Sequence, residues 1–172
     1  LSGGAPLSRE VATVLHAVGI TILEGYGLTE VTAACSVNLP SAYRFGTVGR
    51  ILPGFEARVD GDGELLVRSE TVFAGYLDDP EATAEALTSD GWLRTGDIAA
   101  FDSDGFLAIT DRKKDIIVTA SGKNIAPQNI ENELKAHPLV SQALVVGDRR
   151  PYVVALLTLD PDAARRLEIG RA

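Results

Sequence analysis

The sequence predicts a mixed fold, α/β at its start, built of short antiparallel strands in the middle, and α+β at its end. Three observations point there. An amphipathic stretch closing at Gly19 runs through a β-branched segment into Gly25-Tyr26-Gly27, the order of helix, strand and ligand-facing loop in α/β folds. Two turns, Gly61-Asp62-Gly63 and Ser103-Asp104-Gly105, each divide a pair of strand-like runs. A charged cluster, Asp111-Arg112-Lys113-Lys114-Asp115, then precedes a new succession of strand, helix and strands.

In chain order, Ser8 is the N-cap candidate of a first helix, with Val11, Leu15 and Val18 at helical spacing and Gly19 as its stop. Ile20-Thr21-Ile22 reads as the strand that delivers the Glu24 to Gly27 loop. Glu56 to Asp60 and Glu64 to Arg68 form the first hairpin. Asp79-Pro80 opens a short helix through Leu87, with proline at the first helical position, where its missing N–H costs nothing. Phe101-Asp102 and Phe106 to Ile109 form the second hairpin. Beyond the charged cluster come a strand Ile116 to Val118, a loop containing Gly122, and a helix from Pro127 with Ile130 and Leu134 inward. Strands Ala143 to Val146 and Tyr152 to Leu159 follow, and Asp160-Pro161 starts a last helix running towards Ala172.

Composition narrows the function. The chain has 172 residues, 45% hydrophobic and 23% charged, the balance of a packed globular protein. Its formal charge of −8 argues against a general affinity for nucleic acid or an anionic membrane, since both require a basic surface. An anionic ligand must therefore be held locally. The one cysteine, Cys35, excludes an internal disulfide and a multi-cysteine metal site; it fits a reducing, cytoplasmic compartment and reads as a small buried apolar residue. No apolar run approaches the ~20 residues that a membrane-spanning helix needs.

Three segments hold candidate chemistry. In Gly25-Tyr26-Gly27-Leu28-Thr29-Glu30 a ring can stack a base, glycine N–H groups can approach phosphate, Thr29 can donate to a phosphate oxygen and Glu30 can ligate magnesium. Taken alone, the same residues read as a turn before a capped helix. In Gly91-Trp92-Leu93-Arg94-Thr95-Gly96-Asp97 a carboxylate follows a glycine at the start of a strand, and its two oxygens could accept from both hydroxyls of a ribose. Taken alone, Asp97 reads as a solvated turn residue. Arg112 offers planar donors to ribose or phosphate, or belongs to a surface charge cluster at a domain junction.

Together, and in order, SGGAPL, EGYGLTE, GWLRTGD, DRKKDII and GKNIAPQNIE resemble the adenylate-forming, AMP-binding superfamily of acyl-CoA synthetases, luciferases and peptide-synthetase adenylation domains. The paired lysines of DRKKD, the TASGKN loop and the PQNIE helix start are most similar to long-chain fatty-acid–CoA ligases, including bacterial ones. The resemblance implies that residues 1–112 are the C-terminal portion of the large AMP-binding domain, its sheet and β-barrel part. Residues 113–172 would be the hinge and an incomplete small α+β C-terminal domain. It implies ATP and Mg2+ as cofactors and CoA as co-substrate: a fatty acid and ATP give acyl-AMP and pyrophosphate, and CoA then displaces AMP.

By the same resemblance Gly4, Ala5 and Pro6 line the adenine, within a nucleotide site that also takes in Glu24, Gly25 and Gly27, and Tyr26 packs on the base. Thr29 contacts phosphate, Glu30 holds the metal, Asp97 holds the ribose hydroxyls with Arg112 beside it, and Lys114 is the hinge. Many relatives place a lysine where Val118 stands, so that lysine's role does not transfer. The family's Ser/Thr/Gly-rich phosphate loop and its late catalytic lysine have no counterpart within these residues, and the 172-residue piece alone is expected to be nearly inactive and prone to aggregate. Fatty acid and CoA are the expected partners, without nucleic acid or an integral membrane segment; bilayer-partitioning substrates are compatible with peripheral membrane contact. Adenylation of an amino or aryl acid, or a non-catalytic nucleotide-binding remnant, are the alternatives.

Overall fold

The computed structural model describes residues 1–4 and 7–166. They divide into two compact units, the first Leu1–Thr110 and the second beginning at Asp111.

In the first unit, helix α1 spans Arg9–Ala17. Ser8 stands at its N-cap and accepts through its carbonyl from Ala12 N at 3.0 Å, while its side chain makes no capping bond. Gly19, at φ +86°, stops the helix in the left-handed region open to glycine. The inward residue is Ala12, with Leu15 half-buried; Val11 and Val18 lie in solvent, so the buried face is narrower than their spacing predicts. The expected strand at Ile20-Thr21-Ile22 is absent. Among the described residues that segment joins no ladder; pairing begins just after it, with Ser2 N donating to Leu23 O, Gly25 N to Ser2 O and Asn38 N to Glu24 O. β-branched composition supplies propensity, but a strand needs a partner for its backbone groups.

The strand falls instead on the glycine motif. β1 (Gly25–Leu28) pairs antiparallel with β2 (Ala33–Val37), which pairs with β3 (Arg50–Ile51). A 3₁₀ turn, Thr29–Val31, joins β1 to β2 and ends on Thr32 at φ 71°. A second sheet has the order β4 (Glu56–Val59), β5 (Glu64–Arg68), β6 (Leu93–Phe101), β7 (Leu107–Arg112). Both hairpins stand where their turns predict: Val59 pairs Leu65 around Gly61-Asp62-Gly63, and Asp102 N donates to Phe106 O around Ser103-Asp104-Gly105. Helix α2, Pro80–Ala86, starts on Asp79, whose carboxylate accepts from Ala82 N at 2.9 Å.

Leu65, Val67, Leu93 and Leu107 from the second sheet close with Cys35 from the first and Val31 from the 3₁₀ turn into one buried cluster. Full burial of such side chains stabilises by about 1.5–3 kcal/mol each. Cys35 is wholly buried, and loss of solvent pushes its thiol up to about 11, which makes it a packing residue rather than a nucleophile.

The second unit holds β8 (Ile117–Val118), paired with β9 (Asn124–Ile125) around the Gly122 loop, then α3 (Pro127–Lys135), β10 (Val140–Val146), β11 (Val154–Leu159) and α4 (Pro161–Arg166). Proline begins both helices, and Asp160 caps α4 by accepting from Asp162 N and Ala163 N. Ile130 and Leu134 are half-buried on α3, which packs against β10; Glu131 reaches from it to accept from Val145 N at 2.8 Å. The stretch of the last expected helix beyond Arg166 lies outside the described residues. No helix among those described is long and apolar enough to cross a membrane.

Candidate functional site

Two β-bulges build the centre of the site. On β1 the register slips between Tyr26 and Gly27, so that Tyr26 faces Ser36 but Gly27 faces Ala34. On β6 a larger slip sets Glu64 opposite Ile98 but Leu66 opposite Arg94, which leaves extra residues on the β6 side. Bulges re-aim side chains. Here Gly96 takes φ +72°, its N–H donates to Glu64 Oε1 at 3.0 Å, and Thr95 Oγ1 donates to Leu65 O at 2.7 Å. Asp97 N in turn donates to Thr95 Oγ1 at 3.1 Å, so hydrogen bonds hold the bulge on both sides of Gly96. Asp97, anticipated at the start of a strand, lies in the interior of β6 and is 4% exposed.

The bulges bring together two residues singled out in the sequence: Tyr26 Oη donates to Asp97 Oδ2 at 2.5 Å. Burial, then the bond to Asp97, raises the Tyr26 phenol well above its usual range, so it stays protonated and donates. Glu24 is also buried; its Oε1 accepts from Leu7 N at 3.1 Å, and desolvation raises its carboxyl. Gly25 is held by its N–H to Ser2, and Gly4 has φ +85° with open space where a side chain would stand. Ala5 and Pro6 lie outside the described residues.

Thr29 and Glu30 follow β1 directly, Thr29 exposed and Glu30 half-buried. A residue that sequence reasoning missed engages Glu30: Tyr76 Oη donates to Glu30 Oε1 at 2.7 Å. The Gly-Tyr pair at 75–76 was its only local signal. Trp92, within the GWLRTGD segment, is buried between the guanidinium groups of Arg58 and Arg68, at 4.5 and 4.6 Å from its ring centre, a structural place in the sheet rather than a site.

In the second unit Arg112 ends β7 and is exposed, as is Lys114; Asp115 N donates to Arg112 O at 3.0 Å, so both sit on one tight turn. Just before it, Asp111 is 3% exposed, with Oδ1 accepting from Arg112 N at 2.7 Å and no partner for Oδ2 among the described residues.

The profile of the AMP-binding enzyme family matches residues 1–77, and that of the AMP-binding enzyme C-terminal domain matches residues 114–168. The chain belongs to the AMP-binding enzyme family. Among curated members, the long-chain-fatty-acid–CoA ligase FadD15 of Mycobacterium tuberculosis is 52% identical over 95% of this chain, and the mouse ligase ACSBG1 is 39% identical over 94%. The chain spans about a quarter of their length, 27% and 24% respectively. Among solved structures, the o-succinylbenzoate CoA synthetase of Bacillus subtilis in complex with its acyl-adenylate superposes with TM-score 0.84 at 29% identity, covering 96% of this chain and 37% of that one. The mixed α/β and α+β architecture is that of AMP-binding enzymes, with parts of both the large and the small domain.

Proposed function

We propose that the protein containing this chain is a long-chain fatty-acid–CoA ligase. Residues 1–112 would be the C-terminal portion of its large nucleotide-binding domain, and residues 113–172 the hinge with part of the small domain. The observation that carries the reading is Asp97: a buried carboxylate, fixed on a bulge, with Oδ2 engaged by Tyr26. An ionised carboxylate only accepts hydrogen bonds, which is the role that the paired hydroxyls of a ribose call for.

In the first half-reaction a fatty-acid carboxylate oxygen attacks the α-phosphorus of ATP, the bond to the bridging oxygen breaks, and pyrophosphate leaves. In the second, the CoA sulfur attacks the acyl carbon, the carbon–oxygen bond to AMP breaks, and the thiol proton goes to solvent. This chain's residues bind and orient. Gly4, Ala5 and Pro6 would line the adenine, with Glu24, Gly25 and Gly27 shaping the strand beneath. The ring of Tyr26 would pack on the base, and Thr29 would donate to phosphate. Arg112 would reach ribose or phosphate, and Lys114 would be the hinge about which the small domain turns between the two steps.

The oxygen donors at 29–30 fit magnesium. Among the described residues no three His, Cys, Asp or Glu side chains cluster, and Mg2+ delivered with ATP needs only one or two carboxylates beside phosphate oxygens and water. Glu30 would hold it, and the ion would neutralise phosphate charge. A cytoplasmic location, with peripheral contact at a membrane surface where long-chain acids partition, accompanies this reading.

The test is carboxylate-dependent pyrophosphate release by the full-length protein across fatty acids of several lengths, amino acids and aryl acids, with Asp97→Ala as control. Release with long fatty acids, lost in Asp97→Ala, is expected. A preference for aryl or amino acids would move the assignment to another branch of the family, and no release from a folded protein with any acid would end the ligase reading.

A further inference from the structure

The segment Thr71–Tyr76 grips the Thr29–Thr32 turn from one side at four points. Phe73 N donates to Glu30 O at 2.8 Å, Thr71 Oγ1 to Val31 O at 3.2 Å, Thr32 Oγ1 to Thr71 O at 2.8 Å, and Tyr76 Oη to Glu30 Oε1 at 2.7 Å. The first three fix the backbone that carries Glu30. The fourth fixes the carboxylate itself. Tyr76 is held in turn: its ring meets Phe73 edge to face at 4.8 Å, and its N–H donates to Thr83 Oγ1 at 2.9 Å. Gly75 permits that approach, because a Cβ there would lie 2.7 Å from Thr83 Cγ2.

A glutamate side chain on a turn has three freely rotating bonds, and a lone carboxylate with that freedom is a poor ligand for an ion that demands near-octahedral geometry. From this geometry we infer that Tyr76 is a positioning residue for the metal accompanying the nucleotide, acting through Glu30, an inference that rests on the reading of Glu30 as the metal carboxylate. The phenol occupies Oε1 and sets the plane of the carboxylate, which would leave Oε2 to meet the cation. The rest of the segment supplies the rigid backing such a ligand requires. Tyr76 touches neither nucleotide nor reacting atoms in this scheme.

The experiment is calorimetric titration of the full-length protein with ATP, with and without Mg2+, in wild type, Tyr76→Phe, Glu30→Gln and the double variant. Tyr76→Phe keeps the ring on Phe73 and removes only the hydroxyl. The expected result is a loss of about tenfold in the tightening that Mg2+ confers on ATP, the lower end of what loss of a ligand's hydrogen-bond partner costs in metal affinity. Metal-free ATP should bind Tyr76→Phe as it binds wild type, and adding Tyr76→Phe to Glu30→Gln should change nothing more. Equal losses with and without Mg2+ in Tyr76→Phe would reduce the tyrosine to a structural tie and overturn the inference. So would an unchanged Tyr76→Phe beside a Glu30→Gln that has lost its Mg2+ dependence, with the metal role of Glu30 left standing. If Glu30→Gln itself responds to Mg2+ as wild type does, the metal reading of Glu30 fails and the inference with it.

Discussion

Tyr26 Oη lies 2.5 Å from Asp97 Oδ2, a bond between residues 71 positions apart that ties the two sheets of the first unit at the proposed ribose site. It joins a donor that burial keeps protonated to a carboxylate that is 4% exposed. Tyr26→Phe removes the donor while the carboxylate stays buried, and the expected cost is about 1.5–3 kcal/mol in denaturant unfolding, the range for a hydrogen bond to a charged group. The pH sign follows from the raised phenol. The folded state keeps the proton above the unfolded value near 10, so stability present below that pH falls as pH rises beyond it. Tyr26→Phe should flatten that alkaline loss. Tyrosinate absorbance followed alongside unfolding checks it; an unchanged alkaline limb in the variant would detach the bond from stability.

The glycines of the first motif differ sharply in what they tolerate. A Cβ on Gly27 would lie 1.7 Å from Ala33 O and 2.5 Å from its carbonyl carbon, both backbone atoms of the paired strand, and no rotation relieves that. On Gly25 the nearest atoms are Ser36 O at 3.3 Å and a Val37 methyl at 3.4 Å. Gly27→Ala should therefore separate β1 from β2 and cost about 3 kcal/mol or more, at or beyond the upper end of overpacking, while Gly25→Ala costs about 1 kcal/mol. Equal melting temperatures for the two variants would contradict so close an approach of the strands at Gly27.

Glu64 tests whether the β6 bulge serves the site. It is 3% exposed; Oε1 accepts from Gly96 N, and Oε2 lies 3.5 Å from Arg94 Nη1. Glu64→Ala strands the Gly96 N–H at the residue before Asp97, which should destabilise by about 1–3 kcal/mol and weaken nucleotide binding by the full-length protein. Glu64→Gln retains an acceptor for Gly96 and should lose much less of either. If both variants unfold alike and bind nucleotide alike, the bulge does not depend on this side chain.

What could be read from the sequence was local. The hairpins at 61–63 and 103–105 and the helices opened by Pro80, Pro127 and Pro161 stand where their residues point, because a turn or a cap is decided within about four positions. Tyr26, Glu30 and Asp97 were each visible as chemistry-bearing residues. Their arrangement was not. The burial of Asp97 depends on a register slip between β5 and β6, and the engagement of Glu30 depends on Tyr76, which is 46 positions away. Ile20-Thr21-Ile22 failed as a strand for the same reason in reverse: β-branched composition supplies propensity, but a ladder needs partners that propensity does not specify.

Asp111 supplies a prediction from an unfilled acceptor. Burial raises its carboxyl; the Arg112 N–H opposes that, and the negative charges of Asp115 and Glu131 add to it. Its Oδ2 is buried without a partner among the described residues. A carboxyl whose folded value lies above its unfolded one binds its proton more tightly in the folded state, so folding is favoured below the unfolded value near 3.8 and weakened as pH rises through the folded value. Asp111→Asn keeps an oxygen for Arg112 N and carries no charge at any of these pH values. The stability of the variant relative to wild type should therefore increase from pH 4 towards pH 7, because only wild type must ionise a buried group. Denaturant midpoints at several pH values across that range decide it. A constant difference between the two proteins would mean that Asp111 is as well solvated or as well paired in solution as an ordinary surface aspartate.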